Sequence, residues 1–329
     1  MSRRIVSVLV LTSVAILVLW LAPDVLLAVF AGVLLAVFLR GGGDWTAKHV
    51  GAGRNIGLTV FSVVLLTAIV AFLAIAGAAL ADQVQKLIDS FPEALQGARG
   101  YVDEHGWLRR LLDLVDAGKL LPSGSGATTA FSATFGALGN AVVIVFVGLY
   151  GAISPGIYVR GATRLLAPTL RPKAAKILSE AGVALRGWLK AQFVSMTVVG
   201  VLTGLGLWAL DVPLALVLAV IAAILTFVPN IGPVLAAVPA VLLGLSEGVS
   251  TALWIVALYV AIQTVESYVI TPRVQEEAVS LPPALTISVQ LLFGVLFGVL
   301  GLALATPIAA VLLRVGEKFY VRSYLDQES

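Results

Sequence analysis

The chain has 329 residues, of which 60% are hydrophobic and 12% charged, with a mean hydropathy of +1.04. A soluble domain carries about a quarter charged residues, so this composition excludes an ordinary cytosolic enzyme, a disordered chain and a nucleic-acid binder. It leaves a polytopic membrane protein. There is no cysteine and there are only two histidines, His49 and His105. That removes disulfides, thiolate nucleophiles, iron–sulfur clusters and cysteine-based zinc sites. No cofactor or metal is expected.

The first apolar run is 5–22, after Arg3 and Arg4, and a second, 25–39, follows after only Pro23 and Asp24. Arginines before an apolar run also open a secretory signal peptide, but the immediate second run favours an uncleaved helical hairpin. A short basic loop, 41–55, leads to a third span, 56–81. Residues 82–126 are the longest polar stretch; Val84, Leu87, Ile88, Phe91 and Leu95, and again Leu108, Leu111, Leu112 and Val115, recur at helical spacing. These predict amphipathic helices too charged to cross a bilayer. A fourth span is expected at 135–153.

Residues 154–190 hold seven basic residues against one acid, Glu180. A basic loop of this size marks the cytoplasmic side. Alternation then places both the N-terminus and the 41–55 loop inside and the 82–126 stretch outside, where seven acids outnumber five basic residues. Fifteen of the 21 basic residues fall at or beside segments so assigned to the cytoplasm.

A fifth span is expected at 193–210, and another carrying polar residues at 251–270. Two longer apolar runs, 214–246 and 284–313, are each broken near the middle, the first by Pro229 and Pro233, the second by Gly294, Gly298 and Gly301. Broken helices are where transporters place substrate and ion sites. The expected fold is all-α, a polytopic membrane protein of six full spans plus two re-entrant helical hairpins, with eight full spans as the alternative. Both put the C-terminus in the cytoplasm; they differ over residues 271–279. The expected organisation is an N-terminal membrane hairpin and third span (1–81), an external helical loop (82–134), a fourth span (135–153), a cytoplasmic basic loop (154–192), a core with broken helices (193–313) and a cytoplasmic tail (314–329).

Val228-Pro229-Asn230-Ile231-Gly232-Pro233 removes two helix donors in apolar surroundings and places Asn230 among them. It is a kink sealed by neighbouring helices, a turn at the surface, or an unwound segment that contacts substrate or an ion. Glu266 is the one acid well inside a predicted span, with Gln263 three residues before it on the same face. Such an acid pairs, lines a cavity or carries protons, unless it reaches the interface from near the helix end. Gln290 and Gln192 read as helix–helix hydrogen bonds slightly better than as ligand contacts. Gly200-x3-Gly204 and Gly294-x3-Gly298 fit close helix packing. Gly244-Leu245-Ser246-Glu247-Gly248 matches the serine-hydrolase pattern, but the topology puts both histidines in polar loops on opposite sides, so it reads as a turn.

Several strings in order resemble the autoinducer-2 exporter family of bacterial membrane transporters, also called PerM-like permeases. They are Arg186-Gly187-Trp188-Leu189-Lys190-Ala191-Gln192, Phe227 with the Val228–Pro233 motif, and Gln263 and Glu266 followed by Thr271-Pro272-Arg273-Val274. Leu281-Pro282 follows, then Gly294, Gly298, Gly301, Ala305 and Pro307. The resemblance is specific from about residue 186 onward; the first half agrees in layout. It implies a secondary transporter in the bacterial cytoplasmic (inner) membrane, exporting a small molecule or exchanging ions, with sodium/proton antiport as one form. It also implies a homo-oligomer, with pentamers in the family. A membrane scaffold using the external loop is the reading from another class. The expected pathway residues are Phe227, Pro229, Asn230, Gly232, Pro233, Gln263, Glu266 and Gln290, with hinges at Pro272, Gly294, Gly298, Gly301 and Pro307. The expected partners are the lipid bilayer and the transported solute.

Overall fold

The computed structural model describes residues 20–104, 127–275 and 281–318, together with Ser13 and Leu17. Most of the first predicted span, the helix expected around Leu108 to Val115, and the tail beyond Lys318 lie outside the described residues. Those described form helices and connections, with no strand among them. The helices are α1 (Pro23–Val50), α2 (Arg54–Glu104), α3 (Ala127–Ile153), α4 (Pro155–Arg164), α5 (Arg171–Ala209), α6 (Ala215–Leu225), α7 (Ile231–Glu247), α8 (Val249–Val265), α9 (Thr271–Gln275) and α10 (Pro283–Gly316). A π-turn, Glu266–Ile270, joins α8 to α9. Five described helices are long and apolar enough to cross a membrane. The protein is an all-α, multi-pass membrane protein.

Two predicted boundaries move. The loop expected at 41–55 is helical as far as Val50, and only Gly51–Gly53 connect α1 to α2. Glycine is a poor helix former, but here its lack of a side chain permits contact. A Cβ on Gly43 would lie 2.7 Å from the Leu58 backbone, and one on Gly42 would overlap the Phe61 ring. Likewise α2 does not end at Ala81. It runs unbroken for 51 residues, about 76 Å, because nothing between Ala81 and Asp82 interrupts a helix and the only proline inside is Pro92.

The chain forms two compact units, one drawn from Met1–Ile69, Ala137–Ala191 and Val274–Ser329, the other from Val70–Gly136 and Gln192–Arg273. In the first unit, α1 and α3 run parallel. Gly32 meets Val147, Leu35 meets Gly148 and Ala36 meets Gly151, and one turn on the Arg40 guanidinium donates to the Ala152 carbonyl at 3.1 Å. Small residues bring the two backbones close, as membrane helices require when water supplies no driving force between them.

α10 does not run straight. Gly298 has φ 64° and ψ −151°, and the chain reverses there. Gly301 lies against Phe293 and Phe297, Gly294 lies against Leu302, and Gln290 Nε2 donates to Thr306 Oγ1 at 3.1 Å. Sixteen residues of continuous helix would separate those side chains by about 24 Å. Of the expected packing pair, Gly294 meets Leu302 at ordinary contact distance and Gly298 is instead the turn itself, while Gly301, expected as a hinge, packs closely on Phe293 and Phe297. Pro307 is buried in the outgoing arm.

In the second unit, α6 and α7 fold back on each other. Val217, Leu218 and Ala222 of α6 share one buried cluster with Ala236, Ala240 and Leu243 of α7, Val199 and Leu207 of α5, and Ile255, Tyr259 and Ile262 of α8. Gly200 lies against Ala223 and Gly204 against Ala219, so Gly200-x3-Gly204 is a packing motif. Leu80 and Leu87 of α2 cover this cluster, and Gln83 Oε1 accepts from the Val217 N–H at 3.0 Å, capping the first turn of α6. Gly244–Glu247 is the last turn of α7, where Ser246 donates to the Leu243 carbonyl, and only Gly248, with φ 140°, breaks the chain before α8.

Candidate functional site

α5 carries Gln192 and Ser195 one turn apart, so both project from one face. Gln192 Nε2 donates to the Thr226 carbonyl, where α6 ends and the hairpin turn begins. Ser195 Oγ donates to Glu266 Oε1 at 2.7 Å. Gln263 Nε2, one turn before Glu266, donates to Oε2 at 2.8 Å, and Thr271 Oγ1 stands 3.4 Å from Oε1. Both carboxylate oxygens thus accept hydrogen bonds. No basic side chain pairs with Glu266 among the described residues. Glu266 is thus a half-buried acid in an apolar helix, held by neutral donors alone among the described residues.

The backbone at Glu266 is a π-turn, the single-turn bulge that α-helices take where a side chain must be re-aimed. It brings Thr271 back to Glu266 across five residues and leaves Pro272 in the first turn of α9. The sequence predicts a span carrying polar residues over 251–270 but not this turn, because a π-turn has no compositional mark.

The Pro229–Pro233 segment is a tight turn rather than an open unwound strand. Its backbone is satisfied internally: Val228 N–H donates to the Leu225 carbonyl, Ile231 to Pro229, and Gly232 to Val228. A Cβ on Gly232 would sit 1.8 Å from the Leu225 oxygen, so only glycine closes this turn. Asn230 has φ 64° and ψ −50° and is exposed at the tip. That conformation is strained for a non-glycine residue, and Asn tolerates it better than most. Phe227 and Pro229 are half-buried beside it, and Pro233 is buried in the first turn of α7.

Of the predicted residues, the structure joins Gln263 to Glu266 directly. Through successive donors on α5 it also ties Glu266 and the base of the Phe227–Pro233 turn to one helical turn. Gln290 belongs to the other unit, where it is wholly buried and bonded to Thr306. Ser195, Thr226 and Thr306 were not anticipated. Ser195 had a signal: it lies three residues after Gln192, on the face that meets the core. Among the described residues, no group of His, Cys, Asp or Glu is placed to hold a metal ion.

Two helical hairpins with breaks in apolar sequence, and a neutral-bonded acid beside one of them, define a multi-pass membrane protein with broken helices. The chain belongs to the AI-2E transporter family, whose description, AI-2E family transporter, matches residues 9–320. It is 27% identical to the Bacillus subtilis protein YueF over 56% of this chain and 51% of that one, so it spans about half the length of that relative. It is 24% identical to the Escherichia coli protein YhhT over 88% of this chain and 83% of that one. It is also 32% identical to the AI-2 transport protein TqsA of Escherichia coli, over 35% of each chain.

Proposed function

We propose that this chain is a secondary transporter of the bacterial cytoplasmic membrane, not an enzyme, in which Glu266 binds and releases the coupling proton or cation. The observation that carries this is the placement of Glu266: both its oxygens accept from neutral donors, Ser195 on α5 and Gln263 on α8. Loading a proton or cation onto the carboxylate competes with those bonds. One turn away on α5, Gln192 holds the base of the α6–α7 turn. A change at Glu266 is therefore felt at the hairpin through one helical turn, which is the differential contact a two-state cycle needs.

The α6–α7 and α10 hairpins are re-entrant in this reading. α6 has 11 residues, about 16 Å, against a hydrocarbon core of about 30 Å. Asn230 and Phe227 at the α6–α7 turn line the solute pathway, and copies of the chain assemble as a homo-oligomer. The solute is a small polar molecule, with AI-2 the first to test because of the name TqsA carries. Sodium/proton exchange is the second reading, favoured by the oxygen atoms of Ser195, Glu266 and Thr271, which suit a hard cation. A scaffold role for 82–134 explains the amphipathic extension of α2 and leaves Glu266 unexplained.

The test is flux in proteoliposomes loaded with a pH-sensitive dye. Addition of sodium, or of AI-2, moves protons through the wild-type protein, and Glu266→Gln abolishes that movement while remaining folded. Unchanged proton movement in Glu266→Gln refutes the coupling role. A sodium response without an AI-2 response selects the exchanger.

A further inference from the structure

α3 is apolar to its end at Ile153, and α4 leaves it at 96°. A helix at a right angle to a membrane-crossing helix lies in the plane of the bilayer surface. α4 carries Arg160 and Arg164 in ten residues, so it is not a continuation of the span. At 100° per residue its side chains fall in two adjoining arcs, with Arg164 about 20° from Ile157 at their border. Ile157, Tyr158, Ala162 and Leu165 (just past its end) fall on one side, and Arg160, Thr163 and Arg164 on the other. Thr163 is buried against the protein and bonds back to Val159. The apolar side is left uncovered: Ile157 is 61% exposed, Tyr158 53% and Leu165 68%.

A second observation sets the depth of this helix. The Ala152 carbonyl, in the last turn of α3, accepts from Arg40. Arg40 is the residue at which α1 changes from its apolar run to charged sequence. Two parallel helices thus leave the apolar layer at the same level, and α4 begins there. The exposed apolar surface is also continuous, running from Phe146, Leu149, Tyr150 and Ile153 of α3 onto Ile157 and Tyr158.

The charges decide the type of surface. Arg171 is spent on the end of α4, its guanidinium donating to the Leu166 and Arg164 carbonyls. Arg160 and Arg164 are exposed and pair with no acid among the described residues. Apolar side chains on one side, arginines beside them and a tyrosine at the boundary form the pattern of a helix seated among anionic headgroups.

We propose that α4 is an interfacial helix that binds anionic phospholipid, with Ile157, Tyr158 and Leu165 at the acyl boundary and Arg160 and Arg164 on lipid phosphates. The experiment uses the full chain in vesicles of phosphatidylcholine with and without phosphatidylglycerol. Because the chain lacks cysteine, Leu165→Cys carries one environment-sensitive fluorophore, and Lys173→Cys, on exposed helix α5, serves as the aqueous reference. The Leu165 probe is expected to emit to the blue of the Lys173 probe and to be quenched by shallow spin-labelled lipid. Spin-labelled phosphatidylglycerol should quench more than spin-labelled phosphatidylcholine. Arg160→Gln with Arg164→Gln should reduce that preference by about fivefold per arginine without moving the Leu165 emission. An aqueous Leu165 spectrum, or a blue-shifted one that shallow spin-labelled lipid does not quench, overturns the interfacial placement. Equal quenching by the two lipids in the wild type overturns the anionic specificity.

Discussion

Gln290 and Thr306 stand 16 positions apart in the chain and are joined by a 3.1 Å hydrogen bond. That one bond shows that α10 is a hairpin. It also shows how the hairpin is held, because both residues are buried between arms that are otherwise apolar. A hydrogen bond has few competitors in such surroundings, so it fixes the register of the arms.

The reversal depends on Gly298. Its φ of 64° with ψ −151° belongs to a region open essentially to glycine alone. Gly298→Ala should lower stability by about 1–3 kcal/mol, and Gln290→Ala by about 1 kcal/mol. Thermal unfolding in detergent measures both; a neutral Gly298→Ala is incompatible with the turn described.

Gly232→Ala should be more severe. Its Cβ would fall 1.8 Å from the Leu225 oxygen, a backbone atom that cannot rotate away. The variant is expected to express poorly or to unfold before the wild type. Asn230→Gly should instead relieve the strain at the neighbouring position and stabilise the protein, by up to about 1 kcal/mol. The two melting temperatures should move in opposite directions.

Ser195 and Glu266 should act as a coupled pair. Ser195→Ala removes a donor, and Glu266→Gln replaces the acceptor with a neutral amide. Measured singly and together by thermal unfolding in detergent, the two changes should be non-additive, with a coupling of about 0.5–3 kcal/mol. Strict additivity would show that the bond contributes nothing to the fold.

Glu180 provides a pH test on the charged side. Lys318, Arg314 and their hydrogen bonds hold its carboxyl below the ordinary glutamate value. A depressed carboxylate contributes stability above its unfolded value of about 4.3 and loses it as pH falls through the folded value. The wild type should melt above Glu180→Gln near neutral pH, and the gap should narrow as pH falls below the unfolded value of about 4.3. A constant gap down to pH 3 would sink the assignment.

Residues 271–279 decide between hairpins and full spans. In intact cells, Gln275→Cys should resist an impermeant thiol reagent and react once the cells are opened. Reaction from outside would overturn the re-entrant placement proposed for the hairpins.

Much of this was readable in the chain. Twelve per cent charge placed it in a membrane, the Pro229–Pro233 and Gly294–Gly301 breaks marked both reversals, and Glu266 stood out as an acid in apolar sequence. Those features are local: hydropathy, missing donors and absent side chains act within a few residues. The helical extensions of α1 and α2 were not readable, because the glycines at 41–43 look like a loop until Leu58 and Phe61 are seen against them.

The sequence by itself determined that the chain crosses a membrane through helices, where those helices break, and which acid lies among them. Only the tertiary structure decided what that acid touches. Ser195 is 71 residues from Glu266, and a hydroxyl in a helix carries no sign of the partner it will meet. The geometry of α10 was settled in the same way: glycines permit a reversal, and the packing of Gly301 on Phe293, with Gln290 reaching Thr306, shows that it occurs.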